Sequence, residues 1–277
     1  MNLETVTELR YPASAAEVAE WRDGYAWVGG GTWLFSEPQA ELSTLIDLDS
    51  LGWEALAVSD QGLEIAATCK IAQLFEFQPP AQWTAAPLVH ACCNALLASH
   101  KVWNMATVGG NICMSLPAGA MIALTASLEG VATLWPRGGA PRQVAITDFV
   151  TGNHANVLGP GELLRSIQLP ASALGKRFAV RQMSLTHLGR SAALIVGTMD
   201  PAGRDFRLTI TAATPHPVQL HFEAPPSADE LRAAIDAKLP PDGYFADVHG
   251  SAPYKQHVTY YFAEQIRVEL ARGGGAQ

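Results

Sequence analysis

Two glycine-rich segments, Val28-Gly29-Gly30-Gly31-Thr32-Trp33-Leu34 and Thr107-Val108-Gly109-Gly110-Asn111-Ile112, constrain this chain more than any other feature. Each has an apolar lead-in, consecutive glycines and a small polar residue beside them. Glycine accepts a positive φ and lets backbone N–H groups approach another group with no Cβ between them. Successive N–H groups in such a turn form a concave nest that favours an anion. One such segment is equally a tight strand-to-loop turn with no ligand. Two of them, roughly 75 residues apart, are able to grip the two sides of one diphosphate.

A chain of 277 residues is long enough for two domains and a sizeable core. With 48% hydrophobic and 16% charged residues it has the composition of a globular protein and not of a disordered one. A net charge of −8 argues against broad contact with nucleic acid or an anionic membrane surface. A small anionic cofactor stays possible, because backbone N–H groups bind phosphate without a basic surface. The four cysteines, Cys69, Cys92, Cys93 and Cys113, show no metal-ligand spacing and are expected to be buried thiols in a reducing compartment. The start has no signal-peptide pattern, and no apolar run reaches membrane-spanning length, so a cytoplasmic location is expected.

Ser14-Ala15-Ala16-Glu17 reads as a capping box opening a short helix that continues through Val18 and Trp21. Strands are predicted at Tyr25–Val28, Thr44–Leu48 and Gly62–Ala67, and a helix-compatible run covers Pro87–Ser99. Beyond the second glycine segment, Met121–Glu129 predicts a buried helix. Val131–Trp135 and Glu162–Leu169 predict strands. Pro170, Ser172 and Gly175 break the pattern near 170–176. Strands follow near 178–182, 192–199 and 206–212, then a helix capped by Ser227 and a last one from about Ser251, its apolar face carrying Tyr254, Val258, Phe262, Ile266 and Leu270. The Gly273–Gln277 tail is expected to fray.

The two glycine segments, their order and two further stretches resemble the flavin-binding medium subunit of the molybdenum hydroxylases, the group of the carbon monoxide dehydrogenase and xanthine dehydrogenase type enzymes. The further stretches are Phe149–Pro170, containing Pro160-Gly161-Glu162-Leu163-Leu164, and Gly250-Ser251-Ala252-Pro253-Tyr254-Lys255. The resemblance implies an α+β fold. A two-part FAD-binding domain of the PCMH (vanillyl-alcohol-oxidase-like) type would cover 1–172, with subdomains of about 1–55 and 56–172. A C-terminal sheet-plus-helices domain would cover 173–277.

It also implies FAD contacts from Val28, Gly29, Gly30, Gly31, Thr32, Trp33 and Leu34, from Ala106, Thr107, Val108, Gly109, Gly110 and Asn111, and from Met114, Ala120, Leu164 and Arg181. Arg181 would place a cation near the ring's pyrimidine edge, where Coulomb attraction stabilises the anionic reduced flavin. The implied partners are a small iron–sulfur subunit carrying 2Fe-2S clusters and a large molybdopterin subunit, in a heterotrimer or a dimer of heterotrimers.

Three positions depart from the family pattern. Pro117-Ala118-Gly119-Ala120 stands where relatives have Pro-x-x-Asp, Trp103-Asn104 where they have Arg-Asn, and Met114 where some have a polar residue. On pattern alone Trp33 and Trp103 are packing residues, Leu164 is core, and Arg181 equally pairs with a surface carboxylate. Asn111 either braces the backbone or touches the flavin. The eight histidines show neither metal spacing nor a triad arrangement, and no Ser, Cys or His arrangement suggests covalent catalysis. Three functions follow for test: an electron-transfer flavin subunit, a self-contained flavin oxidoreductase, and a non-catalytic flavin-binding module.

Overall fold

The structure, a computed structural model, describes residues 3–17 and 21–273. Val18, in the predicted first helix, and residues 274–277 of the predicted tail lie outside the described residues. What is described at the capping box is a single 3-10 turn, Ala15–Glu17, with the Glu17 carboxylate accepting from the Ala13 N–H at 2.9 Å.

Among the described residues there are three sheets of three or more strands and a two-stranded ribbon, Val150–Gly152 with Ala155–Asn156. Glu8–Arg10, Tyr25–Val28 and Thr44–Asp47 form a parallel sheet with Thr44–Asp47 in the middle. The second sheet is antiparallel, in the order Leu56–Ser59, Gly62–Ala66, Leu163–Pro170, Val131–Trp135, Arg142–Ala145. Leu163–Pro170 is its central strand, and its Leu164, Ile167 and Leu169 are buried in the core. The third sheet is an antiparallel meander, Arg177–Ser184, Ser191–Met199, Phe206–Thr211 and Val218–Phe222.

Helix Ala120–Ser127 is buried at all eight positions. Its two hydroxyls cost little there, because Thr125 donates to the Met121 carbonyl at 2.7 Å and Ser127 to the Ala123 carbonyl at 2.6 Å. The meander supplies part of its cover. Strand Ser191–Met199 is buried along its whole length, and its side chains alternate between two cores. Leu194 and Val196 join the core around helix Ala120–Ser127, whereas Ala193 and Ile195 face helix Ala252–Ala271. That last helix starts at Ser251, whose hydroxyl accepts from the Tyr254 N–H, and it buries Val258, Phe262, Ile266 and Leu270 as the spacing predicts.

Gly197 lets this helix lie against the strand. A Cβ there would sit 2.2 Å from the Ile266 side chain and 3.0 Å from Leu270. Gly197→Val is expected to destabilise the chain by about 1–3 kcal/mol through overpacking. Urea unfolding checks this, and a midpoint equal to wild type would show that the helix yields freely.

At the junction of the second and third sheets the buried Lys176 ammonium contacts Glu129 and Asp205, each at 2.5 Å. Arg207 pairs with the same two carboxylates, at 3.3 Å and 2.9 Å.

Candidate functional site

The first glycine segment leaves the end of strand Tyr25–Val28. Gly31 needs its glycine for conformation, having φ +67, and the Phe35 ring occupies the place of its missing Cβ. Gly30 needs its glycine for space. An ideal Cβ there would lie 1.7 Å from the Met105 carbonyl oxygen. At Gly29 the obstacle would be the Thr107 hydroxyl, 2.8 Å away. The first segment is therefore laid directly on the chain that enters the second.

That second segment is not the turn the sequence suggests. Thr107 is extended and caps a helix over Val108–Cys113, its hydroxyl accepting from the Gly110 N–H at 3.0 Å. The neighbouring N–H groups are also engaged: Val108 donates to Cys69, Gly109 to Ala67 and Asn111 to Thr107, all at 2.9–3.0 Å. Gly109 is pressed so closely on Ala67 that a Cβ would sit 2.5 Å from that residue's methyl. Among the described residues the first segment differs: the N–H groups of Gly30, Gly31 and Thr32 meet no backbone acceptor. Unpaired donors beside a cleft are free to bind an anion.

The two segments share one cleft of about 440 Å³, within the roughly 300–1,000 Å³ usual for ligand sites. All of Val28–Leu34 line it, as do Ala106, Thr107, Gly110, Asn111 and Met114. Trp33, a packing residue by pattern, is 42% exposed and forms part of the wall. Trp103 does pack, against the Phe75 ring. Asn111 acts at least as a brace, since its side-chain oxygen accepts from the Met121 N–H at 3.0 Å and so holds the start of helix Ala120–Ser127.

Five residues implied by the resemblance lie away from the cleft walls. Val108 and Gly109 are buried beneath it, and Ala120 is wholly enclosed at the start of its helix. Leu164 is core, in register with Leu134 on the neighbouring strand. Arg181 lies on the third sheet, where it bonds Glu269 at 2.5 Å and Gln265 at 2.9 Å. It borders an open groove of about 950 Å³ along the last helix, a larger hollow than the glycine cleft but one without either glycine segment.

The opposite wall escaped the sequence reading. The predicted helix Pro87–Ser99 ends at Ala95, Leu96 turns extended, and Ser99 caps a new helix, His100–Trp103. Leu96, Leu97, Ala98 and Val102 from this break give the cleft an apolar side. Ser99, a capping residue inside an apolar run, was the available signal.

A second groove, about 310 Å³, adjoins the cleft through the shared wall residue Leu116. Leu116–Ala118, Asn153, His154, Arg190 and Phe245 are among the residues that line it. Ser115 and His154 carry positive φ, 51° and 56°, and are joined by a hydrogen bond from the His154 N–H to the Ser115 carbonyl at 2.9 Å. Asn156 adds bonds to the Cys113 carbonyl and the Ser115 hydroxyl. Left-handed conformations in non-glycine residues are strained, and the bonds around them hold this corner in place.

The cysteines offer no chemistry here. Burial pushes the thiols of Cys69, Cys93 and Cys113 up to about 12, so they stay protonated near neutrality. Among the described residues no cluster of three or more His, Cys, Asp or Glu is placed to hold a metal ion, and no helix is long and apolar enough to cross a membrane.

A mixed α/β fold with two glycine segments on one cleft defines a flavin-binding class of protein. The chain belongs to the family described as FAD binding domain in molybdopterin dehydrogenase, whose model matches residues 6–172. It is 26% identical to the carbon monoxide dehydrogenase medium chain of Afipia carboxidovorans over 62% of this chain and 60% of that one. The match thus spans under two thirds of that relative's length. It is 22% identical to the 6-hydroxypseudooxynicotine dehydrogenase complex subunit alpha of Paenarthrobacter nicotinovorans, over 80% and 78% of the two chains. In fold it is similar to a chain of the carbon monoxide dehydrogenase from Hydrogenophaga pseudoflava, with a TM-score of 0.81, 22% identity and coverage of 98% and 99%.

Proposed function

We propose that this chain is the FAD-carrying electron-transfer subunit of a molybdenum-containing hydroxylase or dehydrogenase. Electrons would reach it from a small iron–sulfur subunit, while a large molybdopterin subunit holds the substrate. One observation carries the reading: the two glycine segments lie against each other in a single cleft, and the Gly30–Thr32 N–H groups there lack acceptors.

The residues present fit a dinucleotide. The three free N–H groups and the Thr32 hydroxyl are donors for diphosphate oxygens. The Thr107 hydroxyl already accepts from Gly110 and still has its own proton to donate. Leu96, Leu97 and Val102 provide apolar surface in the same cleft. When bound, FAD supplies the two-electron to one-electron relay, and the chain's own residues bind and orient it. In this reading the parallel sheet and the five-stranded sheet are the two parts of a PCMH-type domain spanning 1–172, and 173–277 forms the C-terminal domain. Exposed Leu185 and Leu188, on the loop that leads to Arg190, offer apolar surface to a partner.

Two measurements test this. The purified full chain is expected to show flavin absorbance after gel filtration, or to regain it on incubation with FAD. Co-expressed with its two partners, it should support substrate-dependent reduction of an external acceptor only when all three are present. Turnover of an organic substrate by the isolated chain, at a rate indifferent to the partners, would install the self-contained oxidoreductase instead. A colourless chain that cannot be reconstituted would sink the flavin reading itself.

A further inference from the structure

We infer that the groove lined by the Leu116–Ala118 loop, His154, Arg190 and Phe245 takes the flavin ring of the cofactor, and that Arg190, not Arg181, is the cation facing it. The inference rests on the FAD reading above and assigns a different residue to the charge.

Position comes first. The groove opens from the glycine cleft at Leu116, so a ligand anchored by its diphosphate at Gly30–Thr32 has this hollow next to it. His154 marks the junction, with its ring 6.4 Å from that of Trp33 on the cleft wall. The corner carrying it is the strained pair Ser115 and His154, held by the bonds from Asn156. Backbone strain maintained by a dedicated set of hydrogen bonds fixes the shape of a wall before a ligand arrives.

Charge comes second. Arg190 is exposed in the groove and, among the described residues, has no hydrogen-bond or ion-pair partner. The carboxylate that lines the same groove, Asp247, is engaged through its Oδ1: the buried Lys255 ammonium lies 3.0 Å away, and the His249 N–H donates to the same oxygen at 2.9 Å. The groove therefore presents one uncompensated guanidinium. Its other walls include Leu116, Pro117, Phe245 and Val248, which are apolar. An apolar slot with a single free cation suits a flat ring that gains negative charge at one edge on reduction. Arg181 lacks these conditions, since Glu269 and Gln265 occupy its donors and the groove it borders is a different one. Removing Arg190's charge should therefore make the bound flavin harder to reduce.

The experiment compares Arg190→Met, Arg190→Lys and Arg181→Met in the FAD-loaded full chain by spectroelectrochemistry. Titrations of the apoprotein with FAD and with ADP, which carries the diphosphate but no flavin ring, accompany it. Arg190→Met is expected to lower the reduction potential and to weaken FAD roughly tenfold, leaving ADP affinity unchanged. Arg190→Lys should restore much of the potential, and Arg181→Met should alter neither quantity. An unchanged potential in Arg190→Met at full FAD occupancy overturns the assignment, as does an equal loss of FAD and ADP affinity, which would put Arg190 on the diphosphate. A wild-type chain that binds ADP but never FAD overturns the flavin reading and this inference with it.

Discussion

A Gly30→Val substitution is expected to abolish FAD binding and to remove a large part of the chain's stability. The added Cβ would stand 1.7 Å from the Met105 carbonyl oxygen and 2.6 Å from its carbon. Those are backbone atoms, so no rotamer change relieves the overlap. The loop has to lift off the 105–107 segment, which separates the two halves of the cleft wall and turns the Gly30–Thr32 N–H groups away from a common ligand. A loss of about 3 kcal/mol or more in folding free energy is the expected scale for overpacking against rigid backbone. Gly110 makes the contrast. There the only near atom is the Thr107 hydroxyl at 2.9 Å, so Gly110→Ala should disturb one cap, at about 1 kcal/mol. Flavin absorbance after gel filtration and urea midpoints check both variants. Retention of stoichiometric FAD by Gly30→Val would show that the close approach of the two segments is not needed for binding.

Lys176→Met is the second large effect. Methionine fills much of the same space but leaves Glu129 with Arg207, and Asp205 with Arg207 and His221, as the remaining partners. Breaking a buried pair by removing one partner costs about 3 kcal/mol. The effect carries a pH signature through Asp205. Burial by itself would raise that carboxyl, but the Lys176 ammonium and the Arg207 guanidinium outweigh it and hold it below its ordinary 3.8. A depressed carboxyl contributes stability that is fully present above the unfolded-state value and is lost as pH falls through the folded one. The gap between wild type and Lys176→Met should thus be widest at neutral pH and should close below about pH 4. A gap that stays constant down the acid limb would mean that the lysine acts by packing alone.

Much of the secondary structure was legible because local rules sufficed. Ser227 and Ser251 cap the helices that follow them, and the apolar spacing from Val258 to Leu270 describes the face that packs. The glycine cleft was legible as a pair of motifs but not in its geometry. Nothing near Gly30 says that Met105, 75 positions later, will lie against it, and nothing in Thr107-Val108-Gly109-Gly110 distinguishes a nest from a capped helix. That choice is made by Ala67 and Cys69, whose carbonyls take the N–H groups of Gly109 and Val108. Arg181 is a similar case. Pairing with a carboxylate is one of its two readings in sequence, but the partner, Glu269, is 88 positions away. Long-range pairing of this kind leaves no local trace.

Helix Ala120–Ser127 bears on how far the flavin-binding segment can be regarded as portable. The family match stops at residue 172, but the core does not: Leu194, Val196 and Ala212 pack into the cluster that holds this helix. The join is polar as well, with the Ala212 N–H donating to the Pro117 carbonyl at 2.8 Å and the Gln219 amide to the Ala126 carbonyl at 3.0 Å. Asn111, on the cleft wall, is tied to the same helix at Met121. Transplanted alone onto another scaffold, the first 172 residues would carry a helix of apolar side chains stripped on one side. The cleft would lose the support behind Asn111 with it. The smallest transferable unit includes the inner face of the four-stranded sheet, so the end of the family match at residue 172 falls in the middle of a single packed core.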